Sequence, residues 1–412
     1  MKNYKRTKYT CYFTYVAMSS VFSLPPMLFV TFHEMYKISY TLLGTLLLVN
    51  FCTQLLIDLI FTFFSKHFNI ALTVKIMPLI TSAGLAIYAL VPLLSPENAV
   101  YGLIGGTIVF SVAAGLCEVL LSPMVAALPS EHPDKDMSLL HSLYGWGVVS
   151  VVLVSSLYFK LFGTENWAYL AIFWAVLPLI SSFLFFISPM PEMNAEDEKK
   201  GEKKRGRAKG IALCAVCIFL GSSSENIMTG WISSFMEKAL LIPKSAGDIA
   251  GMAVFALLLA FTRGLYAKFG KNILKALFIG MCGAAICYLT VGFSNNVIIG
   301  FAACILTGVF VSMLWPGTLI YLEESVPAPG VAAYALMAAC GDLGAAFAPQ
   351  AMGAIVDKYA LSEKALAVSA ATGEAADALG LKFGMLCTAV FPVLGAIWIA
   401  YMFAERKKQN AA

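Results

Sequence analysis

The chain has 412 residues, of which 59% are hydrophobic and only 13% charged, and its mean hydropathy is +0.80. These values exclude a water-soluble globular enzyme and require a lipid bilayer as solvent. The formal net charge of +4 reports membrane topology, as the loop charges below show, and does not point to a nucleic-acid partner.

A helix needs about 20 apolar residues to cross a hydrocarbon core roughly 30 Å thick. Twelve such runs follow one another, predicting spans at 10–32, 39–63, 71–94, 99–127, 138–160, 167–188, 211–236, 248–268, 272–293, 297–321, 331–356 and 380–403. The basic opening MKNYKRTKYT leads into a run with no small-residue cleavage site, which reads as a retained first helix and not as a signal peptide. All ten cysteines, including Cys214 and Cys217, fall inside apolar runs and read as small hydrophobes. No metal or cofactor is expected.

With both ends placed in the cytoplasm, the inner segments hold 21 of the 28 Lys and Arg residues and the outer loops 7. This is the positive-inside pattern, and it predicts a multi-pass protein of the cell membrane with both termini cytoplasmic.

One hydrophilic stretch, PEMNAEDEKKGEKKRGRAKG at 191–210, separates six spans from six. It reads as a solvated linker, giving an N-terminal bundle at 1–188, a cytoplasmic linker at 189–210 and a C-terminal bundle at 211–412. Gly115, Leu121 and Pro123 recur 193 residues later as Gly308, Leu314 and Pro316, as a duplicated six-helix unit predicts. The expected fold is an all-α membrane protein with twelve transmembrane helices in two pseudo-symmetric six-helix bundles around a central cavity.

Glu118, Glu225 and Asp342 each fall near the middle of a predicted span, and Asp58 falls nearer the inner end of the second. Three ionised acids facing lipid would cost roughly 8–10 kcal/mol on insertion scales, comparable to the whole stability of a typical protein. They are therefore expected to face a polar interior. Helical spacing places Ser111, Gly115, Glu118 and Ser122 on one face, Ser222, Glu225, Asn226, Thr229 and Ser233 on a second, and Asn50, Gln54 and Asp58 on a third. Such seams line a cavity or join helices by hydrogen bonds, and for the third face the two readings are equal.

No Lys or Arg falls at mid-membrane. Arg263 is placed at the inner end of the eighth span, so an anionic solute lacks its usual clamp and a neutral or cationic one is expected. A buried carboxyl holds its proton more tightly, which makes Glu118, Glu225, Asp342 and Asp58 the candidate proton-coupling groups. His141, Tyr144 and Trp146 in LLHSLYGWG, with Asn226, Trp231, Trp315, Gln54 and Asn50, are the candidate substrate-binding residues.

The two-by-six plan with its charged linker resembles the major facilitator superfamily along the whole chain. Locally, GLCEVLLSPMVAALPS followed by LLHSLYGWG resembles the fourth and fifth helices of the fucose-permease-like sugar:proton symporters. Glu118 and Pro123 match that pattern, and Tyr144 and His141 stand where the branch places polar residues. Span 1 offers only Ser19, Ser20 and Ser23 where related permeases carry an acid, and FFSKHFNIALTVK is a reduced form of the superfamily loop signature.

The resemblance implies proton-coupled symport of a small neutral polar solute such as a sugar, by alternating access, through a monomer in the lipid bilayer. Sodium in place of the proton stays open. A drug or cation:proton antiporter is the alternative, although YGWGVVS lacks the kink motif of that class, and a non-transporting receptor or scaffold is a remote one. No G-x-x-x-x-G-K-[ST] motif is present, so the energy source is an ion gradient. No catalytic group can be assembled, and an enzyme is not expected.

Overall fold

Backbone N–H and C=O groups find no water in hydrocarbon, so a chain of this composition satisfies them internally by forming helices. In the computed structural model, residues 4–64, 67–126, 128–130, 133–191, 207–326 and 330–411 are described. Most of the linker, 192–206, lies outside the described residues.

The N-terminal half contains α1 (Lys5–Met27), α2 (Phe29–Tyr36), α3 (Tyr40–Phe64), α4 (Ile70–Leu94), α5 (Ala99–Ala126), α6 (Pro133–Phe162) and α7 (Trp167–Phe186). The C-terminal half contains α8 (Arg207–Lys238), α9 (Lys244–Gly247), a π-turn (Asp248–Ala253), α10 (Val254–Phe269), α11 (Ile273–Phe293), α12 (Val297–Val311), α13 (Leu314–Ser325), α14 (Gly330–Ala360), α15 (Glu363–Thr372), α16 (Ala376–Thr388) and α17 (Val390–Ala411). Among the described residues, ten helices are long and apolar enough to cross a membrane, and α1 with α2 makes an eleventh span bent by 51°. The 31-residue α14 occupies the place of the predicted eleventh span. Among the described residues the fold is all-helical, with ten or, counting the bent pair as one, eleven helices suited to cross a membrane.

Two expected spans are interrupted. Pro25 and Pro26 lack the N–H groups that a helix interior needs, and α1 gives way to α2 at Leu28, whose N–H turns back to the Pro25 carbonyl at 3.0 Å. The predicted 10–32 span is therefore two helices. The tenth span is interrupted at Ser312 and Met313, between α12 and α13, with Pro316 four residues after Ser312 and without a bend as sharp as that of α1 and α2. Between the predicted eleventh and twelfth spans, α14 runs on to Ala360 and α16 starts at Ala376. Only the ten-residue α15 remains there, opened by the Ser362 hydroxyl accepting the Ala365 N–H at 3.2 Å and closed by Gly373 at φ +75°.

The chain forms two compact units, one of Met1–Ile38 and Val49–Asp197, the other of Ser39–Leu48 and Glu198–Ala412.

In the first unit, α4 and α5 approach until backbones touch. A Cβ on Gly84 would lie 2.4 Å from the Phe110 nitrogen, and one on Gly106 would lie 2.6 Å from the Tyr88 nitrogen, the small-residue packing that helices in lipid rely on. Hydroxyls add to it: Ser82 donates to the Ala175 carbonyl of α7 at 2.7 Å, and Ser182 to the Lys75 carbonyl of α4 at 2.6 Å. Phe32, Tyr88 and Trp167 form an aromatic cluster with ring centroids 4.8–5.9 Å apart.

In the second unit, α14 is seated on α8. The Trp231 indole donates to the Pro349 carbonyl at 3.1 Å, and Gly344 lies against the Phe219 carbonyl. The first turns of α3 are seated on α14 as well. Asp357 accepts the Tyr40 N–H at 3.0 Å and the Thr41 N–H at 2.6 Å, acting as an N-terminal cap supplied from 316 residues away. Close beside it, a Cβ on Gly353 would meet the Tyr40 carbonyl at 2.4 Å.

Candidate functional site

A polar seam runs along α3 and α5 in the first unit. Asn50 and Ser111 stand near the middles of their helices, where Ser111 donates to the Asn50 side-chain oxygen at 2.6 Å and Gln54 donates to the same oxygen at 3.2 Å. All three are buried. Asn50 and Gln54 thus join the two helices in this structure, the hydrogen-bonding alternative of the sequence reading, and they present little surface to a solute.

One to two turns further on, Asp58 of α3 comes within electrostatic range of Glu118 of α5. Glu118 lies eight residues, about 12 Å, before the end of α5, and Asp58 lies six residues before the end of α3. Their approach depends on Gly115, where a Cβ would be 3.0 Å from the Ile57 Cβ. Glu118 is nevertheless exposed, and Asp58 half-buried. An accessible carboxylate within a membrane helix, beside a second one, is the arrangement that proton-handling groups share.

On α6 the Tyr144 carbonyl accepts from the Ser19 hydroxyl at 3.1 Å, and the Tyr144 ring packs edge-on against Phe22 with centroids 5.7 Å apart. Gly147 allows that approach, since a Cβ there would overlap the Ser19 hydroxyl. Trp146 is 62% exposed, with its ring available to a solute or to lipid headgroups. The side chain of His141 lies outside the described residues.

In the second unit, Glu225 sits near the middle of α8 and Asn226 donates to the Ser222 carbonyl and hydroxyl at 3.0 and 3.1 Å. The expectation that no cation reaches this depth is wrong. Arg263 does begin near the end of its helix, but its side chain extends back along the bundle, and its Nη2 lies 3.4 Å from Glu225 Oε1. What draws it there is Pro316. A helix normally satisfies the carbonyl four residues earlier with an N–H that proline lacks, so the Ser312 carbonyl is left open, and Arg263 Nε donates to it at 2.8 Å. The second oxygen of Glu225 is buried and has no hydrogen-bond partner among the described residues.

Trp231 is fully buried and spends its indole N–H on Pro349, so this structure places it in the core and not on a binding surface. Trp315 is half-buried against Gly341, and the adjacent Asp342 is 7% exposed within α14.

The repeated glycines occupy matching roles. Gly115 of α5 admits α3, and Gly308 of α12 admits α10, with a Cβ there 2.7 Å from the Phe255 carbonyl. Each lets the fourth span of its half press against the second.

The family model described as Major Facilitator Superfamily matches residues 10–349. The chain belongs to the major facilitator superfamily. Solved members share its fold at low identity. A bacterial homolog of the human lysosomal transporter Spinster, in an inward-facing and unoccupied conformation, superposes with a TM-score of 0.74 at 13% identity, covering 96% of this chain and 94% of that one. A D-xylose-proton symporter gives 0.74 at 14% identity, with 95% and 97% covered. The nucleoside transporter NupG gives 0.69 at 14%, with 98% and 99% covered. No curated protein sequence matches the chain significantly. As a member of this superfamily the protein is a membrane transporter, not an enzyme.

Two structural features of this superfamily member escaped the sequence reading. The first is the Arg263–Glu225 pair, whose signal was a proline four residues after a serine in an apolar span. The second is a charged cluster around the buried Asp248 where α8 meets the π-turn: Ser233 donates to Asp248, Lys244 lies 3.7 Å from Asp248, and Lys244 lies 3.4 Å from Glu237.

Proposed function

We propose that the protein is a proton-coupled secondary transporter of a small polar solute, working as a monomer by alternating access. The observation that carries this reading is Glu118, an exposed carboxylate inside a membrane helix, paired with Asp58 at the end of a continuous polar seam. The seam leads from Asn50 and Ser111 at mid-helix toward the end of α3 and α5 that the positive-inside count assigns to the cytoplasm, the side where both termini and the 189–210 linker between the bundles of 1–188 and 211–412 are placed. A proton arriving at the carboxyl pair neutralises one of two neighbouring like charges and relieves their repulsion, a change that can couple protonation to a shift between conformations.

Symport of a sugar is supported by the local resemblance around Glu118 and by likeness of fold to a D-xylose-proton symporter. The argument that excluded anionic solutes rested on the absence of a deep cation and does not survive Arg263. Tyr144 and Trp146 supply accessible rings on the N-terminal side, and Asn226, Trp315 and the Glu225 carboxyl supply polar and aromatic groups on the C-terminal side.

The test is uptake into proteoliposomes under an imposed proton gradient, over sugars, polyols, nucleosides, carboxylates and cationic dyes. An inward gradient drives accumulation in the wild type, and Glu118→Gln abolishes that drive while leaving solute exchange in place. Accumulation that ignores the gradient, or that keeps its full proton dependence in Glu118→Gln, defeats the reading. Expulsion of solute under the same gradient assigns antiport instead.

A further inference from the structure

The break between α12 and α13 leaves an anchored guanidinium with unused capacity. Arg263 has five N–H groups in a rigid fork. One is fixed on the Ser312 carbonyl at 2.8 Å, and a second makes the long 3.4 Å contact to Glu225. The side chain stays 40% exposed, although its helix forms part of a span running Lys244–Tyr266. Anchoring through Nε holds the plane of the group and leaves terminal N–H donors pointing away from the backbone carbonyl. That is the geometry in which arginine takes a carboxylate through two parallel hydrogen bonds. Beside it, the buried Glu225 Oε2 has no donor.

We propose that Arg263 binds the carboxylate of the transported solute, and that Glu225 Oε2 accepts a hydrogen bond from a hydroxyl or ammonium group of the same molecule. The substrate class is then small hydroxy- or amino-carboxylates. Arg263 is the binding residue, and Pro316 is a positioning residue that acts by keeping the Ser312 carbonyl open for it. This inference rests on the reading of the chain as a carrier of a small polar solute and narrows it.

Binding to the purified full-length protein in detergent tests the inference without a proton gradient. The probes are matched pairs that differ in one carboxylate: lactate against propane-1,2-diol, gluconate against sorbitol, and glycine against ethanolamine. The expected result is a rise in thermal unfolding midpoint with at least one carboxylate and none with its partner. Arg263→Lys, which keeps the charge and loses the fork, is expected to bind at least tenfold more weakly. Pro316→Ala returns an N–H to Ser312, releases the Arg263 anchor and is expected to weaken binding severalfold while every charge stays in place.

Equal stabilisation by both members of each pair overturns the inference. So does carboxylate binding unchanged in Arg263→Lys and Pro316→Ala, or a folded wild type that none of the three carboxylates stabilises. The two proposals fail separately. Carboxylate binding without proton-driven uptake removes only the coupling, whereas Glu118-dependent uptake of a neutral sugar without carboxylate binding removes only the assignment of Arg263.

Discussion

Gly115 of α5 lies directly on Ile57 of α3: a Cβ on the glycine would stand 3.0 Å from the Ile57 Cβ and 3.2 Å from the Gln54 Cα. One turn beyond that contact are Glu118 and Asp58, so the glycine controls how near the two carboxyls come. Gly115→Ala asks its neighbours to move by a few tenths of an ångström and is expected to transport within about twofold of wild type. Gly115→Leu adds bulk that a packed interface accommodates only by spreading, at about 1–3 kcal/mol, and is expected to lose proton-driven uptake while still yielding folded protein. Wild-type uptake by the leucine variant would show that the helix approach is irrelevant to coupling.

Arg263 and Glu225 form a pair only partly withdrawn from solvent, with side chains 40% and 19% exposed. Breaking a fully buried pair costs about 3–5 kcal/mol, and exposure of the guanidinium reduces that through solvent screening, so a coupling on the order of 1 kcal/mol is expected. Thermal unfolding of Arg263→Leu, Glu225→Gln and the double variant measures it. The double change is expected to cost less than the sum of the two single ones, because each single change leaves one charged or polar group of the pair without its partner. Additive losses would mean the 3.4 Å contact carries no energy.

Much of the architecture was legible because a bilayer imposes a length and a composition on each span, and averaging over 20 residues tolerates local irregularity. The irregularities themselves were written as prolines. Pro25 and Pro26 marked the α1–α2 bend, and Pro316 marked both the tenth-span break and the open carbonyl of Ser312, yet hydropathy alone drew these spans as continuous. The spacing of Ser111, Gly115 and Glu118 put them on one face of α5, and Gly115 turns that face toward Ile57 of α3. Placing Arg263 failed because position along a helix fixes where Cα lies and not where a six-atom side chain ends. Trp231 shows the opposite limit: its residue type suits a binding surface, but the carbonyl of Pro349, 118 residues away, decides that it packs inside.

Asp357 accepts the N–H groups of Tyr40 and Thr41 at 3.0 and 2.6 Å, and the Tyr40 hydroxyl donates to Asp377 at 3.3 Å. These bonds replace the first-turn donors' missing helical partners. Asp357→Ala is expected to cost about 1 kcal/mol, the usual loss on removing an N-terminal cap, and to raise amide hydrogen exchange at residues 40–43 selectively. Asp357→Asn, which retains one acceptor oxygen, is expected to fall between the two. Exchange at 40–43 that does not change in the alanine variant would show that water serves those donors equally well.

Gly84 and Gly105 offer a matched comparison on the same pair of helices. A Cβ at Gly84 would sit 2.4 Å from the Phe110 nitrogen and 2.9 Å from its Cα, and neither backbone atom can rotate away. At Gly105 the nearest atom would be the Ile87 Cγ2 at 4.0 Å, an ordinary contact. Gly84→Ala must therefore part α4 from α5 and is expected to destabilise by about 1–3 kcal/mol. Gly105→Ala pays no such cost and gains helix propensity, so it is expected to be neutral or to stabilise by about 0.5–1 kcal/mol. Unfolding midpoints of the two variants in detergent separate these outcomes, and equal midpoints would show that the backbones of α4 and α5 do not meet at Phe110.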